Sequence, residues 1–453
     1  MTSRALPLSP LWPLLLCLLT SSAAFADGPH PTFGVSPKGK GMANARTATS
    51  DGWEAAYDNP AALARLEKGE FSVGLSLVLP QLSLDLDTPL GADHPLSPPD
   101  VDPFVGSTWG LAFPFRGFLD DRLYFGFALY LPTLMATHAT AFDPARPFFY
   151  RYDTYAEHYD VALSLSFKWF DFLATGVGVR IGAGQKGSLS TVVDPLRSRM
   201  LYQEIEAVQY SIYAPVAGVT VGPFGIDDII TVRGGFTFRE HLSTPMDVPA
   251  FLAIDGLDLG LVVPISGQTN YTPRTFSGGL GVDILGMSTL SLDVDYRMWS
   301  LAPPPFVHVS VQTSGEDLEA LGLDGLLDAP APGESRVRSP GFVDTVTVRV
   351  GGEVRLLQDM WMLRAGYGFR PSPVPDQTSG TNIVDNTAHV LAAGMGLNID
   401  LPFLDENLRI DGAWQTHIMQ PRSAQKTDAN DPIGNWTAHG FVHEASFQAS
   451  YFF

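Results

Sequence analysis

The sequence has a single cysteine and few charged residues. Cys17 lies in an apolar run near the N-terminus, so the rest of the 453-residue chain has no disulfide and no cysteine-based metal site. Charged residues make up 17% of the chain, and the net charge is −20. Nucleic acid is therefore excluded as a partner, because its phosphates require a basic surface.

Long apolar runs and catalytic motifs are also missing. After residue 26, no segment has 18 or more consecutive apolar residues, which excludes a transmembrane helix there. The remaining classes are a secreted soluble protein and a β-barrel that closes its backbone hydrogen bonds between strands. The histidines show no metal-binding spacing, and no serine lies in a nucleophile motif. We therefore expect no catalytic residues, metal, cofactor or enzyme activity.

Residues 1–26 have the pattern of a secretory signal peptide. Arg4 precedes the apolar run from Leu11 to Leu19, and small residues lead to Ala26. The run is too short for a membrane anchor, which must cross about 30 Å of hydrocarbon. Lipidation of Cys17 is disfavoured because the bulky Leu16 precedes it.

Much of the remaining chain alternates between apolar and polar residues. In FSVGLSLVL, Phe71, Val73, Leu75 and two further leucines share one face, opposite Ser72, Gly74 and Ser76. The same period of two recurs near residues 161, 290, 346 and 408. This period is typical of β-strands with one apolar face, although a soluble antiparallel sheet has it too.

The connections between strands favour a membrane barrel. We predict about fourteen strands, beginning near residues 69, 105, 122, 155, 172, 200, 229, 271, 287, 342, 360, 387, 406 and 440. Short connectors alternate with long ones at 82–104, 135–154, 184–199, 240–270, 300–341, 371–386 and 419–439. Outer-membrane barrels have tight periplasmic turns and long outer loops. The last strand ends on aromatic Phe453, the form read by the bacterial barrel-insertion machinery.

Three stretches resemble the FadL/OmpP1 (TodX) family of outer-membrane transporters for long-chain fatty acids and other hydrophobic compounds. The first is the Gly/Ala-rich segment from Phe33-Gly34 through Gly41-Met42-Ala43 to Asn59-Pro60-Ala61. The others are Leu290 to Ser300 and Leu363 to Pro375. Asn44, Arg46 and Ala62 stand where the family often has glycine, and Glu54 stands where it usually has a small residue.

The resemblance implies an all-β, fourteen-stranded barrel in the outer membrane of a Gram-negative bacterium. Residues 27–68 would form a luminal hatch and residues 69–453 the barrel wall. Hydrophobic cargo, with long-chain fatty acids favoured, would be captured at the outer loops, cross the lipopolysaccharide layer and leave sideways into the outer-membrane lipid. We expect a monomer.

Three groups of residues are candidates for this route. Asn59, Pro60 and Ala61 combine a helix cap with the family's motif and are assigned to hatch and gating. Gly126, inside a strand, and Pro114, in its neighbour, are assigned to a lateral opening, although barrel curvature or a sheet-end proline is the favoured explanation for each position alone. The apolar residues of the 240–270 loop are predicted to line a capture groove or to pack the loops: Phe251, Leu252, Ile254, Leu257 and Leu259.

The predicted lumen carries many charges, expected to pair with each other and with the hatch: Arg180, Asp293, Asp295, Arg297, Arg349, Glu353, Arg355, Arg364, Arg409 and Asp411. A carboxylate-binding role for one arginine stays open. Two other functions also stay open, namely a docking barrel for a surface or secretion partner and an outer-membrane lipase, protease or lipid-modifying enzyme.

Overall fold

The computed structural model describes residues 30–453 apart from positions 88, 91–93, 99, 118, 134–142, 153–158, 195–196, 198, 227–228, 255–259, 311, 315–338, 379, 400–406 and 429–430. The predicted signal peptide, residues 1–26, lies outside the described residues. Within them, no helix has both the length and the apolar character needed to cross a membrane.

Fourteen antiparallel strands form one closed barrel, which confirms the predicted fold class. They are β1 Glu70–Leu86, β2 Phe104–Pro114, β3 Leu123–Pro132, β4 Asp160–Phe170, β5 Leu173–Asp194, β6 Arg199–Ile226, β7 Ile230–Arg239, β8 Arg274–Ile284, β9 Ser288–Met298, β10 Thr345–Leu356, β11 Trp361–Arg370, β12 Ala388–Ile399, β13 Leu408–Ala424 and β14 Trp436–Phe452. Strands β1 and β14 close the ring along their full length, from Glu70 opposite Phe452 to Leu86 opposite Trp436.

Alternation located the wall strands well, but several of the predicted long loops contain strand residues, above all 184–199 and 240–270. The largest difference between a predicted and an observed start is at β4, predicted near 155 and observed at Asp160. The predicted loop 184–199 is wrong, because β5 and β6 continue pairing as far as Asp194 opposite Arg199. Hairpin pairing can extend past the barrel rim wherever the alternating pattern continues.

The two faces of the wall differ as the alternation predicts. Outward side chains such as Phe71, Leu75 and Leu165 are exposed, whereas inward Ser72 and Ser166 are buried. We call the end with short connections the turn end and the other the loop end. An exposed apolar band on the outside of a closed barrel is the feature expected for contact with lipid.

Short elements close part of the loop end. Strands Phe148–Phe149 and Ile383–Val384 pair in parallel. Strands Leu242–Asp247, Ala250–Ile254, Gly260–Val263, Ile265–Thr272, His308–Val309 and Gln312–Ser314 extend the sheet beyond the wall, and a short 3₁₀ turn lies at Trp299–Leu301. Another 3₁₀ turn, Leu119–Asp121, lies in the short β2–β3 connection at the turn end.

The N-terminal segment, residues 30–66, lies inside the ring of strands. It contains helices α1 His30–Phe33, α2 Pro37–Lys40 and α3 Ala55–Asp58, followed by a 3₁₀ helix at Pro60–Arg65. Most of its side chains are buried, including Trp53 and Leu63, and they contact inward positions on strands around the whole barrel.

Candidate functional site

Asn59 caps the 3₁₀ helix at Pro60–Arg65. Its backbone is extended, its side-chain oxygen accepts a hydrogen bond from Ala61 N at 3.1 Å, and Pro60 occupies the first helical position. Asn and Pro at these positions satisfy one unpaired amide and fix the backbone for the first turn. The Asn59 amide also donates to Thr47 O at 2.9 Å and to Val219 O, on β6, at 3.3 Å.

These bonds belong to a clasp that holds residues 47–50 against residues 58–65. Arg65 donates to Ala48 O at 2.5 Å and to Ser50 O at 3.3 Å, and the Ser50 hydroxyl donates to Asp58 at 2.8 Å. Burial lowers the pKa of Arg65 to about 9, so its guanidinium stays charged at neutral pH despite the cost of desolvation. The clasp joins the two halves of the segment by side-chain bonds to backbone carbonyls.

Inward-facing glycines let the segment lie directly against the wall. A β-carbon added at Gly176 would lie 2.3 Å from the Pro60 carbonyl carbon, and one at Gly366 would lie 2.3 Å from that of Met42. Similar close approaches occur at Gly110, Gly126, Gly218, Gly235, Gly279, Gly281, Gly351 and Gly394. These glycines form a belt around most of the barrel, so the segment fits only while these positions lack side chains.

Charged groups fix the part of the segment that precedes α3. Lys40 is 2% exposed. Its ammonium lies 2.6 Å from Glu444 on β14 and donates to the Ser76 hydroxyl on β1 at 2.6 Å. Asp293 on β9 accepts a hydrogen bond from Thr47 N at 2.8 Å. A buried cation of this kind needs the carboxylate that faces it.

A ladder of alternating charges runs along the wall beside this part. Arg355 pairs with Glu353, Glu353 with Arg364, Arg364 with Asp411, Asp411 with Arg409, and Arg409 with Glu70, at distances from 2.6 to 3.1 Å. Gly396 on β12 leaves room for the Arg364 to Asp411 contact. Glu70 then accepts a hydrogen bond from Trp53 N at 3.2 Å. The luminal charges therefore pair with each other and with the segment, as predicted.

A polar chamber lies on the loop-end side of the segment. Its wall contains His30, Tyr57, Asp58, Asp295, Trp299 and six arginines: Arg151, Arg180, Arg239, Arg297, Arg349 and Arg370. Burial lowers the pKa of His30, although Asp160 lies 3.3 Å from its ring, so His30 is neutral at neutral pH. The chamber is therefore dominated by guanidinium groups.

An outer cap, made of residues 143–152 and 371–387, covers the chamber. The Asn382 amide donates to Ala145 O at 2.8 Å, and the Trp436 indole donates to the Asn382 oxygen at 2.9 Å. Two residues of the cap, Phe148 and Tyr150, belong to an aromatic cluster that also contains Tyr271, Trp299, Phe306 and Phe342, and Trp299 lines the chamber as well.

A chain of hydrogen bonds connects the cap with the N-terminal segment. Arg370 donates to the Tyr152 hydroxyl, which lies 3.1 Å from His417 Nδ1. The other His417 nitrogen contacts the Gln415 oxygen at 3.3 Å, and the Gln415 amide donates to Lys40 O at 2.8 Å. Polar groups thus form a continuous contact from the chamber wall to α2.

A second cavity, the vestibule, lies at the turn end on the other side of the segment. Its wall includes Arg65 and Leu66 from the segment, Phe170 and Leu173 from the adjoining ends of β4 and β5, and Arg233 from β7. The clasp around Asn59 and Arg65 therefore separates chamber from vestibule.

The predicted lateral-opening residues lie in an unbroken part of the wall. Pro114 is the last residue of β2 and is opposite Tyr124, and the register from β2 through β3 to β4 has no shift at Gly126. Gly126 faces the lumen, where an added β-carbon would lie 2.7 Å from Leu63. The glycine thus accommodates the N-terminal segment, and an opening there stays a prediction.

The predicted capture groove is only partly described. Phe251 is 39% exposed and Leu252 is half-buried, and both belong to strand Ala250–Ile254, which pairs with the outward extension of β5. For Ile254 only the backbone is described, and Leu257 and Leu259 lie outside the described residues.

Sequence reasoning missed two features near the chamber. One is a second apolar cluster at the loop end, where Leu82, Leu84, Leu86, Leu90, Leu96 and Val101 pack around buried residues that include Phe33 and Trp436. Alternation on β1 and the run of leucines after it were signals for this cluster. The other is Arg370, which ends β11. Because a Pro-rich segment follows it directly, the sequence indicates a loop residue at this position.

Metal ligands do not cluster in the described part of the chain, where no group of three or more His, Cys, Asp or Glu side chains could hold an ion.

Comparison with known proteins relates the N-terminal half of the chain to one family. The sequence profile described as "Outer membrane protein transport protein (OMPP1/FadL/TodX)" matches residues 17–234. Among curated proteins, none matches the sequence significantly.

Solved structures share the fold at low identity. A FadL homologue from Pseudomonas aeruginosa is 17% identical with a TM-score of 0.58, covering 95% of this chain and 99% of its own. The toluene transporter TodX of Pseudomonas putida is 13% identical with a TM-score of 0.52, at the same coverage of both chains.

Proposed function

We propose, since this chain belongs to the OMPP1/FadL/TodX family of outer membrane transport proteins, that its barrel is a gated passive channel for hydrophobic compounds, with long-chain fatty acids as favoured cargo. The protein is an outer-membrane β-barrel of a Gram-negative bacterium, so the loop end faces outward and the turn end faces the periplasm. Cargo is captured at the loop end and passes through the chamber, and the N-terminal segment acts as hatch. No covalent step is involved.

The position of the N-terminal segment is the observation that carries this proposal. Residues 30–66 fill the lumen between chamber and vestibule and approach the wall at a belt of glycines. A barrel of fourteen strands without such a filling would be a water channel. A filled lumen suits a cargo that is bound and released one molecule at a time, without leakage of ions.

The apolar clusters of the loop end support hydrophobic cargo. The aromatic cluster under the outer cap adjoins the chamber through Trp299, and the leucine cluster around Trp436 lies at the same end of the barrel. We include Phe251, Leu252, Ile254, Leu257 and Leu259 in the proposed capture surface, and the exposed Phe251 supports this because an exposed apolar side chain provides a first contact for such a cargo.

Lateral exit is the route we propose for release. An apolar molecule that left into the periplasm would lose about 0.8 kcal/mol for each methylene group exposed to water, whereas exit through the wall keeps it in lipid. We place this exit beside Pro114 and Gly126, where the wall contacts Ala56 and Leu63 of the segment. Because the strand pairing there is continuous, exit requires local separation of the strands.

The Asn59-Pro60-Ala61 turn is the proposed gate. Asn59 holds three partners at once, namely Ala61 N, Thr47 O and Val219 O, which join the 3₁₀ helix, the preceding loop and β6. Loosening this residue would free the part of the segment that separates chamber from vestibule.

Uptake by whole cells tests the proposal. Cells with and without the gene are supplied with labelled oleate or with labelled toluene, and accumulation is measured at equal amounts of folded protein. We expect the gene to increase oleate uptake more than toluene uptake. A larger effect on toluene uptake would indicate that the cargo is a neutral hydrocarbon and not a fatty acid. No effect on any apolar compound would overturn transport and favour a docking role.

A further inference from the structure

The hairpin formed by β5 and β6 extends beyond the barrel rim with one covered edge and one bare edge. On the β5 edge, residues 189–193 pair in parallel with strand Ala250–Ile254. On the β6 edge, pairing with β7 begins only at Val216, opposite Arg239. Within the described part of the chain, residues 199–214 of β6 therefore have a neighbouring strand on one side alone.

The last covered residue of β6 shows where the backbone groups of the bare edge point. Pro215 O accepts a hydrogen bond from Glu240 N at 3.0 Å, so this carbonyl points to the β7 side. Pairing with β5 is continuous from Tyr202 to Val221, and alternate residues of an antiparallel strand direct their backbone groups to the same side. Four further residues thus direct N–H and C=O groups out of the edge, without a backbone partner among the described residues: Gln203, Ile205, Ala207 and Gln209.

The bare edge is accessible from outside. The side chains of residues 200–209 are exposed on both faces of the hairpin, and Ile205 is 72% exposed. A row of unpaired backbone groups on an exposed strand is a template for pairing with another chain. Because this part of the hairpin lies beyond the loop end, the other chain would come from the cell exterior.

Two glutamates give this edge a chemical preference. Glu204 and Glu206 lie on the same face, and the residues opposite them on β5 are Ser190 and Ser188. Glu204 accepts a hydrogen bond from the Tyr202 hydroxyl, and neither glutamate forms an ion pair within the described residues. Opposite charges that face each other across paired strands stabilise the pair. Lysine or arginine at two alternate positions of an added strand would therefore favour its binding.

A second copy of this chain does not meet that preference. Copies in one membrane have the same orientation, so a two-fold axis along the membrane normal would relate them. Their bare edges would then pair in parallel and in register, with Glu204 and Glu206 each beside the same residue of the other copy. Like charges at such positions are destabilising. The two glutamates thus oppose self-association and favour a different, cationic chain.

We propose that residues 203–209 of β6 are a docking site at which an extended segment of another protein adds as a further strand of the sheet. The segment has lysine or arginine at two alternate positions, opposite Glu204 and Glu206, and an apolar residue between them that contacts Ile205. Main-chain hydrogen bonds supply affinity in this mode of recognition, and alternate side chains supply specificity. The site is independent of the cargo that the barrel carries.

Binding of synthetic peptides to the full-length protein in lipid nanodiscs tests this site. The probe is a fluorescent peptide of about six residues, the length of an ordinary strand, that alternates lysine with valine. One control peptide carries N-methyl groups on its amides, so it keeps the charge and cannot donate backbone hydrogen bonds. A second control has the same composition with its lysines adjacent. Fluorescence anisotropy gives the dissociation constant of each peptide.

Three variants test the same site from the side of the protein. Glu204→Gln/Glu206→Gln removes both charges. Ile205→Pro removes an N–H that points out of the edge, and the hairpin should keep its own pairing because proline is tolerated on that side of an edge strand. Asp100→Asn/Asp102→Asn is the matched control, because these are two exposed acids at alternate positions of a loop-end connection and belong to no strand.

We expect the alternating peptide to bind the wild type, and both control peptides to bind at least about tenfold more weakly. Glu204→Gln/Glu206→Gln should weaken binding of the alternating peptide by about twofold to thirtyfold, the range for two cross-strand ion pairs. Ile205→Pro should weaken it by about tenfold, and Asp100→Asn/Asp102→Asn should match the wild type. Thermal unfolding checks that each variant is folded, and the glutamine variant tests the site if the proline variant is not.

Hydrogen exchange at single residues gives a readout that general attraction between opposite charges would not produce. The alternating peptide should slow exchange at the amides that point out of the edge, and should leave the amides of Glu204, Glu206 and Val208, which point to β5, unchanged. No binding of this peptide, or equal binding of its N-methylated form, would overturn the site. A dimer that Ile205→Pro converts to a monomer would also overturn the proposal, since the occupant would then be a second copy.

Discussion

The two halves of the N-terminal segment are held in different ways. The charged side, residues 38–54, has the Lys40–Glu444 ion pair, donates backbone hydrogen bonds to Asp293 and Glu70, and lies beside the charge ladder. The small-residue side, residues 55–66, has no ion pair to the wall within the described residues. It is held by hydrogen bonds to its backbone carbonyls and by close packing: Ser164 donates to Ala56 O, Arg239 to Tyr57 O and Asp58 O, and Ser166 to Ala61 O, and Gly126 and Gly176 lie against Leu63 and Pro60.

This difference indicates which side can move. Breaking a buried ion pair leaves uncompensated charges, whereas moving the small-residue side breaks hydrogen bonds and packing contacts but separates no ion pair between this side and the wall among the described residues. The proposed exit at Pro114 and Gly126 also faces the small-residue side. We therefore infer that the charged side is the anchor and that release involves residues 55–66.

Removal of the Lys40 charge should have the largest effect on the anchor. Lys40→Met leaves Glu444 buried without a cation, at a cost of about 3–5 kcal/mol in the free energy of unfolding. Adding Glu444→Gln should restore most of this loss. Thermal unfolding of the two variants in the same detergent measures it, and equal destabilisation in both would mean that the ion pair does not anchor the segment.

A side chain at Gly176 should displace the small-residue side. The added β-carbon of Gly176→Val meets the Pro60 backbone at 2.3 Å, and overpacking of this kind costs about 1–3 kcal/mol. We expect a higher steady ion conductance in planar bilayers because residues 55–66 no longer seal the lumen. Gly278→Val is the matched control, because nothing lies within 4 Å of a β-carbon there. Equal conductance in both variants would contradict close packing as the seal.

Asn59 variants separate the cap from the clasp. Asn59→Ala loses all three bonds, which should cost about 1–2 kcal/mol, and should reduce uptake without preventing barrel insertion. Asn59→Asp keeps the acceptor for Ala61 N and loses the donations to Thr47 and Val219. Similar uptake defects in both variants would assign the effect to the clasp. Normal uptake in Asn59→Ala and in Pro60→Ala would remove this turn from the mechanism.

Asp51 and Asp58, one in each half of the N-terminal segment, should make the stability of the two halves respond to pH in opposite directions. This is the smallest effect that we expect. Burial, opposed in part by Arg46, raises the pKa of Asp58. Its contribution to stability therefore grows as pH falls toward the ordinary value of about 3.9 and declines as pH rises. Burial alone would also raise the pKa of Asp51, but the charges of Lys38 and Arg46 hold it well below its ordinary value. The stability from Asp51 is present above about pH 4 and is lost as pH falls through its depressed pKa.

The melting temperature between pH 7 and pH 3 measures this contrast. Asp58→Asn should remove the slight gain on mild acidification, and Asp51→Asn should remove part of the loss at the acid end. The same pH profile in both variants would contradict the assignment of opposite shifts to the two halves.

The barrel could be predicted from the sequence because the alternation of apolar and polar residues within each strand shows which side faces outward and which faces the lumen. The Asn59-Pro60 cap was equally local, since the acceptor and the capped amide lie two residues apart. The glycine belt was not predictable in the same way. Alternation placed Gly126 in the lumen, but only the fold brings Leu63 against it.

The chamber depends on contacts between distant parts of the chain. Arg370 is positioned by its hydrogen bond to Tyr152, which is 218 residues away in the chain. Tyr152 belongs to the outer cap, whose sequence has no periodic pattern that would predict it. The outward extension of β5 and β6 was missed for a related reason, because strand pairing can continue past the rim where no change of pattern marks the boundary.

Reversible cross-linking of each half to the wall tests most directly whether the small-residue side is the moving part. Cys17 is the only native cysteine, so engineered pairs are not obscured. An added β-carbon at Gly126 lies 3.0 Å from that of Ala56, and one at Gly351 lies 2.7 Å from that of Met42, so a shift of about 1 Å allows a disulfide in each pair. Oxidation of Ala56→Cys/Gly126→Cys should stop oleate uptake, and reduction should restore it, whereas oxidation of Met42→Cys/Gly351→Cys should leave uptake unchanged. Uptake that is blocked by the second pair and not by the first would contradict the assignment of anchor and moving half.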